Sequence, residues 1–123
     1  MAAQPRDVVE QYVKLVATGP TSAIVDLYAE DAVVEDPIGT PERRGHEAIG
    51  ELYQALENLD RETELHTVKV AGNKVAASFT LVTVSNGHRM TLSPIDVMEL
   101  NDEGKIISMR AYWGPDDLKM EQI

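Results

Sequence analysis

Cysteine is absent from the 123-residue chain, and uncharged stretches are short. Without cysteine there can be no disulfide, thiolate nucleophile or cysteine-ligated metal, and this composition suits a reducing cytoplasm, where we expect the protein to reside. The longest uncharged run extends from Val75 to His88, which is too short for a membrane span of about 20 residues. The amino terminus lacks the apolar run of a signal peptide, so no targeting segment is expected.

Basic residues are also scarce: 11 lysines and arginines stand against 21 aspartates and glutamates, giving a formal net charge of −10. Nucleic acids and anionic membranes attract clustered basic side chains, so neither is expected as a partner. Hydrophobic residues make up 43% of the chain, which is ordinary for a folded protein. The length predicts a single domain over residues 1–123, large enough for a core and one internal pocket.

The first half of the chain has the apolar spacing of helices. One helix follows Pro5 and ends at Gly19-Pro20, and a short second one is capped by Thr21 or Ser22. A brief strand is predicted over 32–36, then a loop over 37–45 and a third helix.

Tyrosine is the one plentiful aromatic residue, with four copies against one tryptophan and one phenylalanine. Tyr12, Tyr28 and Tyr53 each lie on the apolar stripe of a different predicted helix. Three phenols would then point into one interior, where each hydroxyl needs a hydrogen-bond partner. Core tyrosines with their hydroxyls at the rim are the simpler alternative.

The second half has the pattern of antiparallel strands, over 62–70, 74–84, 89–100 and 105–113. Asn86-Gly87 is a strong signal for a two-residue hairpin. Helices followed by strands predict an α+β domain, with the helices on one face of a mainly antiparallel sheet.

Asp96 interrupts an otherwise apolar face of the strand predicted over 89–100. The tight hairpin places it opposite Ala77, and a turn at 101–104 would place it opposite Met109. Burial among apolar neighbours should raise the pKa of this carboxyl. The alternatives are a face open to solvent or an ion pair, although Lys105 is distant and Arg110 points to the other face. The same registers place Leu92 opposite Leu81 and Trp113, with Phe79 on the same face.

Asp36 closes the brief strand immediately before Pro37. It should point away from Glu35, so that one of the two carboxylates faces the interior. An aspartate that merely opens a proline turn explains the same sequence equally well.

Other signals for chemistry are missing from the sequence. His46, His66 and His88 are scattered without metal-ligand spacing, and Arg43-Arg44 is expected to be solvated. There is no phosphate-binding glycine loop, nucleophile elbow or dinucleotide fingerprint. We therefore expect no metal and no cofactor.

Several fragments together resemble the bacterial steroid Δ5-3-ketoisomerases, which share a fold with nuclear transport factor 2 and the SnoaL-type polyketide cyclases. The resemblance covers about residues 5–115. It rests on Tyr12 in Gln-Tyr-Val-Lys-Leu-Val, Tyr28 in Leu-Tyr-Ala-Glu-Asp, Asp36 in Val-Glu-Asp-Pro-Ile-Gly, Asp96 in Ile-Asp-Val-Met and Trp113 in Ala-Tyr-Trp.

The resemblance implies a cone-shaped α+β domain with three N-terminal helices packed on a curved sheet. It also implies that Asp36 is the general base for a 3-oxo-Δ5 steroid or a related hydrophobic ring ketone, with Tyr12 and a protonated Asp96 as donors to the C3 oxygen. Tyr28 and Tyr53 would extend the hydrogen-bond network. The substrate pocket would be formed by Trp113, Phe79, Leu81, Leu92, Met109, Leu52 and Val16.

The resemblance further implies a homodimer formed through the outer face of the sheet. Two departures concern the substrate: the pocket candidates are largely aliphatic, and Ser93 stands where an acid is expected in a close relative. The alternatives are a cyclase or epoxide hydrolase of the same fold, or a non-catalytic module that binds a lipophilic molecule. The epoxide-hydrolase alternative calls for an inward arginine, which the apolar strand positions do not contain.

Overall fold

Three helices precede most of the sheet in the computed structural model, which describes residues 4–123. They are α1 (Pro5–Thr18), α2 (Thr21–Val25) and α3 (Gly45–Gln54). Pro5 opens α1, where its missing N–H costs nothing. The helix ends as predicted before Gly19, whose N–H donates to the Leu15 carbonyl at 2.8 Å.

Eight strands form one sheet over the described residues. They are β1 (Tyr28–Glu35), β2 (Arg43–Arg44), β3 (Asp60–Ala71), β4 (Lys74–Ser85), β5 (His88–Leu92), β6 (Ile95–Leu100), β7 (Ile106–Tyr112) and β8 (Leu118–Gln122). A short 3₁₀ turn at Pro115–Asp117 leads into β8.

The sheet is mixed but mostly antiparallel, in the order β2-β1-β7-β6-β4-β5-β8, with β3 also paired to β4. Only β1 and β7 run parallel among these neighbours. Helix α1 packs against β3 and β4, and α3 packs against β1. Side chains on β4 and β6 alternate between buried and less buried, so one face of the sheet meets the helices in the core. The predicted α+β class is confirmed.

Tyr28 was predicted on the second helix, and that prediction is wrong. Helix α2 ends at Val25, and Tyr28 is the first residue of β1. The predicted strand at 32–36 is thus the second half of a longer strand. The backbone N–H of Ile106 donates to the Leu27 carbonyl, so pairing with β7 begins here and overrides the local helical pattern.

The strand predicted over 89–100 is divided into β5 and β6 at Ser93 and Pro94. Pro94 has no N–H to donate to a ladder, and the Ser93 N–H donates instead to the Asp117 carbonyl at 3.0 Å. The two pieces pair with different halves of β4. As predicted, Ala77 is opposite Asp96, and Leu81 is opposite Leu92.

The register predicted on the other side of this strand is wrong by two residues. Asp96 lies opposite Ala111, not Met109, and Leu92 pairs with Leu118 of β8 rather than with Trp113. The connection after Leu100 is one residue longer than predicted, and a bulge beyond Glu99 adds a second residue. A slip of two preserves the side-chain alternation, so Asp96 remains on the buried face.

Among residues 4–123, no helix combines the length and the apolar character needed to cross a bilayer.

Candidate active site

An apolar cavity of about 250 Å³ lies between the helices and the buried face of the sheet. Five side chains contribute polar atoms to its wall: Tyr12, Asp36, Tyr53, Asp96 and Trp113. The other lining residues are aliphatic or, in one case, phenylalanine. Small-molecule sites are usually apolar pockets with a few converging polar groups, which is the arrangement seen here.

Asp36 follows the last residue of β1 and is half-buried at the cavity wall. The adjoining loop is fixed by a hydrogen bond from the Ile38 N–H to the Ala111 carbonyl at 3.0 Å. The indole Nε1 of Trp113 donates to Oδ1 of Asp36 at 2.9 Å. Burial raises the pKa of Asp36, while the indole hydrogen bond and the charge of Arg43 oppose that rise. The carboxyl is therefore a base of increased strength held in one orientation.

Asp96 is buried far more completely, with 3% of its surface exposed. Its Oδ1 has no hydrogen-bond partner within the described chain. Burial, followed by the negative charge of Asp36, raises the pKa of Asp96 well above its usual range, and the nearby Tyr12 phenol only partly offsets this. A neutral carboxylic acid carries a proton that it can donate. Asp36 and Asp96 thus differ in their chemistry because their surroundings differ.

The hydroxyl groups of Tyr12, Tyr53 and Tyr28, all proposed from the sequence, form a chain of hydrogen bonds. Tyr12 and Tyr53 are 2.9 Å apart, and Tyr53 and Tyr28 are 2.5 Å apart. Burial raises the pKa of all three phenols, so they remain protonated at neutral pH. Tyr12 also meets Phe79 and Tyr53 edge to face, which fixes its ring.

Most of the residues proposed from the sequence come together in this cavity. Tyr28 lies behind the wall and reaches it only through Tyr53. Met109 is fully buried in the core opposite Met98 and does not line the cavity. The predicted residues that do line it are Tyr12, Val16, Asp36, Leu52, Tyr53, Phe79, Leu81, Leu92, Asp96 and Trp113.

Four lining residues were not proposed from the sequence: Ala55, Leu56, Met90 and Pro94. Met90 and Pro94 share the face of Asp96, and Leu56 follows the stripe of α3. The alternation of the strand and the periodicity of the helix were signals that could have identified these three. Ala55 belongs to the turn after α3, for which neither periodicity applies.

Within residues 4–123, no three histidines, aspartates or glutamates are grouped so that they could hold a metal ion. The cavity lining contains no arginine, lysine or histidine in the described part of the chain. The wall therefore offers one proton acceptor and neutral donors around an apolar volume.

Comparison with known proteins places this arrangement in a family. The SnoaL-like domain family matches residues 9–109, which is most of the chain. The chain belongs to the SnoaL-like domain family. A relative named Steroid Delta-isomerase, from Nocardioides simplex, is 41% identical to it over 118 residues, covering 96% of each chain. The resemblance found in the sequence is thereby confirmed, and with it the prediction that this SnoaL-like protein is an isomerase.

Solved structures show how widely this SnoaL-like fold is used. An epoxide hydrolase/cyclase-like enzyme, SalBIII, described in pyran ring formation in the polyether salinomycin, superposes with a TM-score of 0.88 at 29% identity and 95% coverage of both chains. A computationally designed 17-OHP binder has a TM-score of 0.87 at 17% identity, covering 97% of this chain and all of its own (100%). The second likeness concerns the fold alone.

Proposed function

We propose that this protein is a steroid Δ5-3-ketoisomerase, which converts 3-oxo-Δ5 steroids into conjugated 3-oxo-Δ4 steroids. The proposal rests on one observation above all: Tyr12, Asp36 and Asp96 border a single apolar cavity. The identity of 41% to a steroid Delta-isomerase supports the same conclusion.

Asp36 is the general base in this proposal. Its carboxylate removes a proton from C4, and the electron pair moves into a dienolate that carries its negative charge on the C3 oxygen. The same carboxyl then returns the proton at C6, so the C5=C6 double bond becomes C4=C5. No atom or electron is gained or lost, and the step needs no cofactor. The hydrogen bond from Trp113 aims the carboxyl during both transfers.

Tyr12 and Asp96 donate hydrogen bonds to the C3 oxygen as it becomes negative. A phenol has one proton, so Tyr12 can donate to substrate only if it accepts from Tyr53, which in turn accepts from Tyr28. The hydroxyl contacts of 2.9 and 2.5 Å are compatible with that direction. Each donor behind Tyr12 makes its hydroxyl a better donor to a developing charge.

The apolar wall makes these donors effective. Fixed donors in a water-poor cavity stabilise developing charge without the reorganisation that water requires. A base paired with a neutral aspartic acid donor is the established arrangement of ketosteroid isomerases. The volume of about 250 Å³ lies just below the roughly 300–1,000 Å³ typical of ligand pockets. The C3 oxygen would have to reach the buried Tyr12 and Asp96, so the ring that carries it would lie inside the cavity and the remaining rings closer to solvent.

The decisive measurement is the ultraviolet absorbance of the conjugated enone formed from a 5-ene-3-ketosteroid. Asp36→Asn should lower kcat by about 10²- to 10⁴-fold, the range for losing a general base, while steroid binding is retained. Asp31 is exposed on the same strand, so Asp31→Asn is the matched control and should keep its activity. A wild-type protein that binds steroid without turnover would instead be a lipophile-binding module.

A further inference from the structure

Asp36 borders a second cavity that the proposed reaction does not use. This polar recess, of about 400 Å³, is lined by Asp36 together with Arg43, Glu51 of α3 and residues of the preceding loop. The carboxyl of Asp36 therefore lies in a wall that separates the apolar cavity from this charged recess. Arg43 is the only cationic residue lining this recess within residues 4–123.

The pairing of β1 with β2 determines which of the two adjacent arginines faces Asp36. Arg43 is opposite Val34, and Arg44 is opposite Val33. Val34 is fully buried, and Asp36, two positions later and just beyond the end of β1, lines the same recess as Arg43. Arg43 therefore lies on the side of Asp36, whereas Arg44 belongs to the opposite face. Diagonal neighbours on a sheet are within reach of long side chains.

Arg43 is also fixed in place. Its Nη1 donates to the Ala48 carbonyl at 3.0 Å, and Glu51 lies 4.0 Å from the same nitrogen. The side chain is 38% exposed, so its positive charge is partly screened but held at a defined position. The sequence analysis predicted that both Arg43 and Arg44 are solvated; Arg44 is exposed, whereas Arg43 is half-buried.

We propose that Arg43 is a positioning residue for catalysis, whose guanidinium, held in the recess, keeps the Asp36 carboxylate ionised and so available as the base. The inference rests on the proposed function. It adds a residue that acts through Asp36 and never contacts the steroid.

The charges around Asp36 oppose one another. The buried Asp96 across the apolar cavity is protonated in the proposed reaction, so it adds no negative charge. Burial disfavours the ionised form of Asp36, and the carboxylates of Glu42 and Glu51 in the recess act in the same direction. Trp113 and Arg43 favour the ionised form. Neutralising Arg43 should therefore raise the pKa of Asp36, so less of the base is ionised on the acid side of the pH–rate profile.

The kinetic test compares Arg43→Gln, Arg43→Lys and Arg44→Gln with the wild type across the pH range. For Arg43→Gln, we expect kcat/KM about two- to fivefold lower on the acid limb and no loss where Asp36 is fully ionised, as befits a partly screened charge. Arg43→Lys should restore the acid limb, and Arg44→Gln should match the wild type. The difference in kcat/KM between Arg43→Gln and the wild type should shrink in 1 M salt, because charges are then screened over about 3 Å.

A second measurement does not depend on turnover. Carboxyl ¹³C NMR of the substrate-free protein should show Asp36 titrating at higher pH in Arg43→Gln than in Arg44→Gln or the wild type. An unchanged Asp36 titration would overturn the inference even if the isomerase is active. A shifted titration in a protein without turnover would support the electrostatic contact while refuting the proposed function.

Discussion

Asp36 and Asp96 show at the scale of single residues how one residue type acquires two chemistries. Asp36 is only half-buried: burial raises its pKa, and the hydrogen bond that it accepts from the indole of Trp113 opposes this rise and favours the ionised form. Asp96 is almost completely buried and has one oxygen without a partner, which favours its protonated form. Placing a carboxylate in such a site without a partner would cost several kcal/mol, so protonation is the cheaper state.

The donor role of Asp96 predicts an ordered series of variants. Asparagine keeps a hydrogen-bond donor at this position, whereas leucine of similar size removes it. We expect Asp96→Asn to retain more activity than Asp96→Leu, whose loss of one oxyanion donor should lower kcat by about 10²- to 10³-fold. The enone assay measures both, with thermal unfolding to confirm that both variants fold. Equal activity in the two variants would refute the donor role.

At the scale of elements, the sequence predicted which side chains of a strand are buried more accurately than it predicted which residues of the next strand lie opposite them. The alternation on β6 was sufficient to place Asp96 in the interior, and Asn86-Gly87 was sufficient to fix its pairing with Ala77. The bulge beyond Glu99 carries no clear sequence signal. Together with the longer connection after Leu100, it brings Ala111 beside Asp96 and places Met109 opposite Met98 in the core, outside the cavity lining.

Tertiary pairing decided the elements that the sequence missed. Tyr28 has helical spacing from Ile24, yet pairing between β1 and β7 draws it into a strand, where its hydroxyl still reaches Tyr53. Strand β8 was not predicted, and it covers the edge of β5. The local spacing of apolar residues does not indicate which distant segment of the chain a strand will pair with. Most residues around the cavity were nevertheless predictable, because they depend on side-chain alternation in the strands and on periodicity in the helices, which survive such errors.

We predict a dimer contact on the outer face of β6 and β7. Ile95 and Tyr112 are cross-strand neighbours with 48% and 49% of their surfaces exposed, which is unusual for large apolar side chains side by side. In the proposed homodimer, Ile95→Lys would bury an unpaired charge and weaken association by about 100-fold or more, equivalent to about 2.8 kcal/mol. Sedimentation equilibrium measures this change.

Met120 provides the matched control for that experiment. It is 65% exposed and pairs with Met90, a cavity residue, so it belongs to the other face of the sheet. Met120→Lys introduces the same charge and should leave association unchanged. A wild-type protein that is monomeric at all concentrations, or equal effects of both substitutions, would contradict the proposed interface.

For the whole molecule, the formal charge of −10 counts every aspartate as ionised. A protonated Asp96 makes the folded protein one unit less negative than that count. Most of the remaining acidic side chains are exposed or half-buried, where water stabilises their charge. The difference is a property of the fold, because unfolding returns Asp96 to water and to its ordinary pKa near 3.9.

Electrophoretic mobility at pH 7 can detect this single charge. Asp102 is exposed in the turn after β6, so Asp102→Asn should remove one full negative charge from the folded protein. Asp96→Asn should leave the mobility of the folded protein unchanged, because the acid it replaces is already neutral. In denaturing urea, the two variants should both differ from the wild type by one charge. A shift of one full unit for folded Asp96→Asn would mean that Asp96 is ionised, and an ionised carboxylate has no proton to donate to the C3 oxygen.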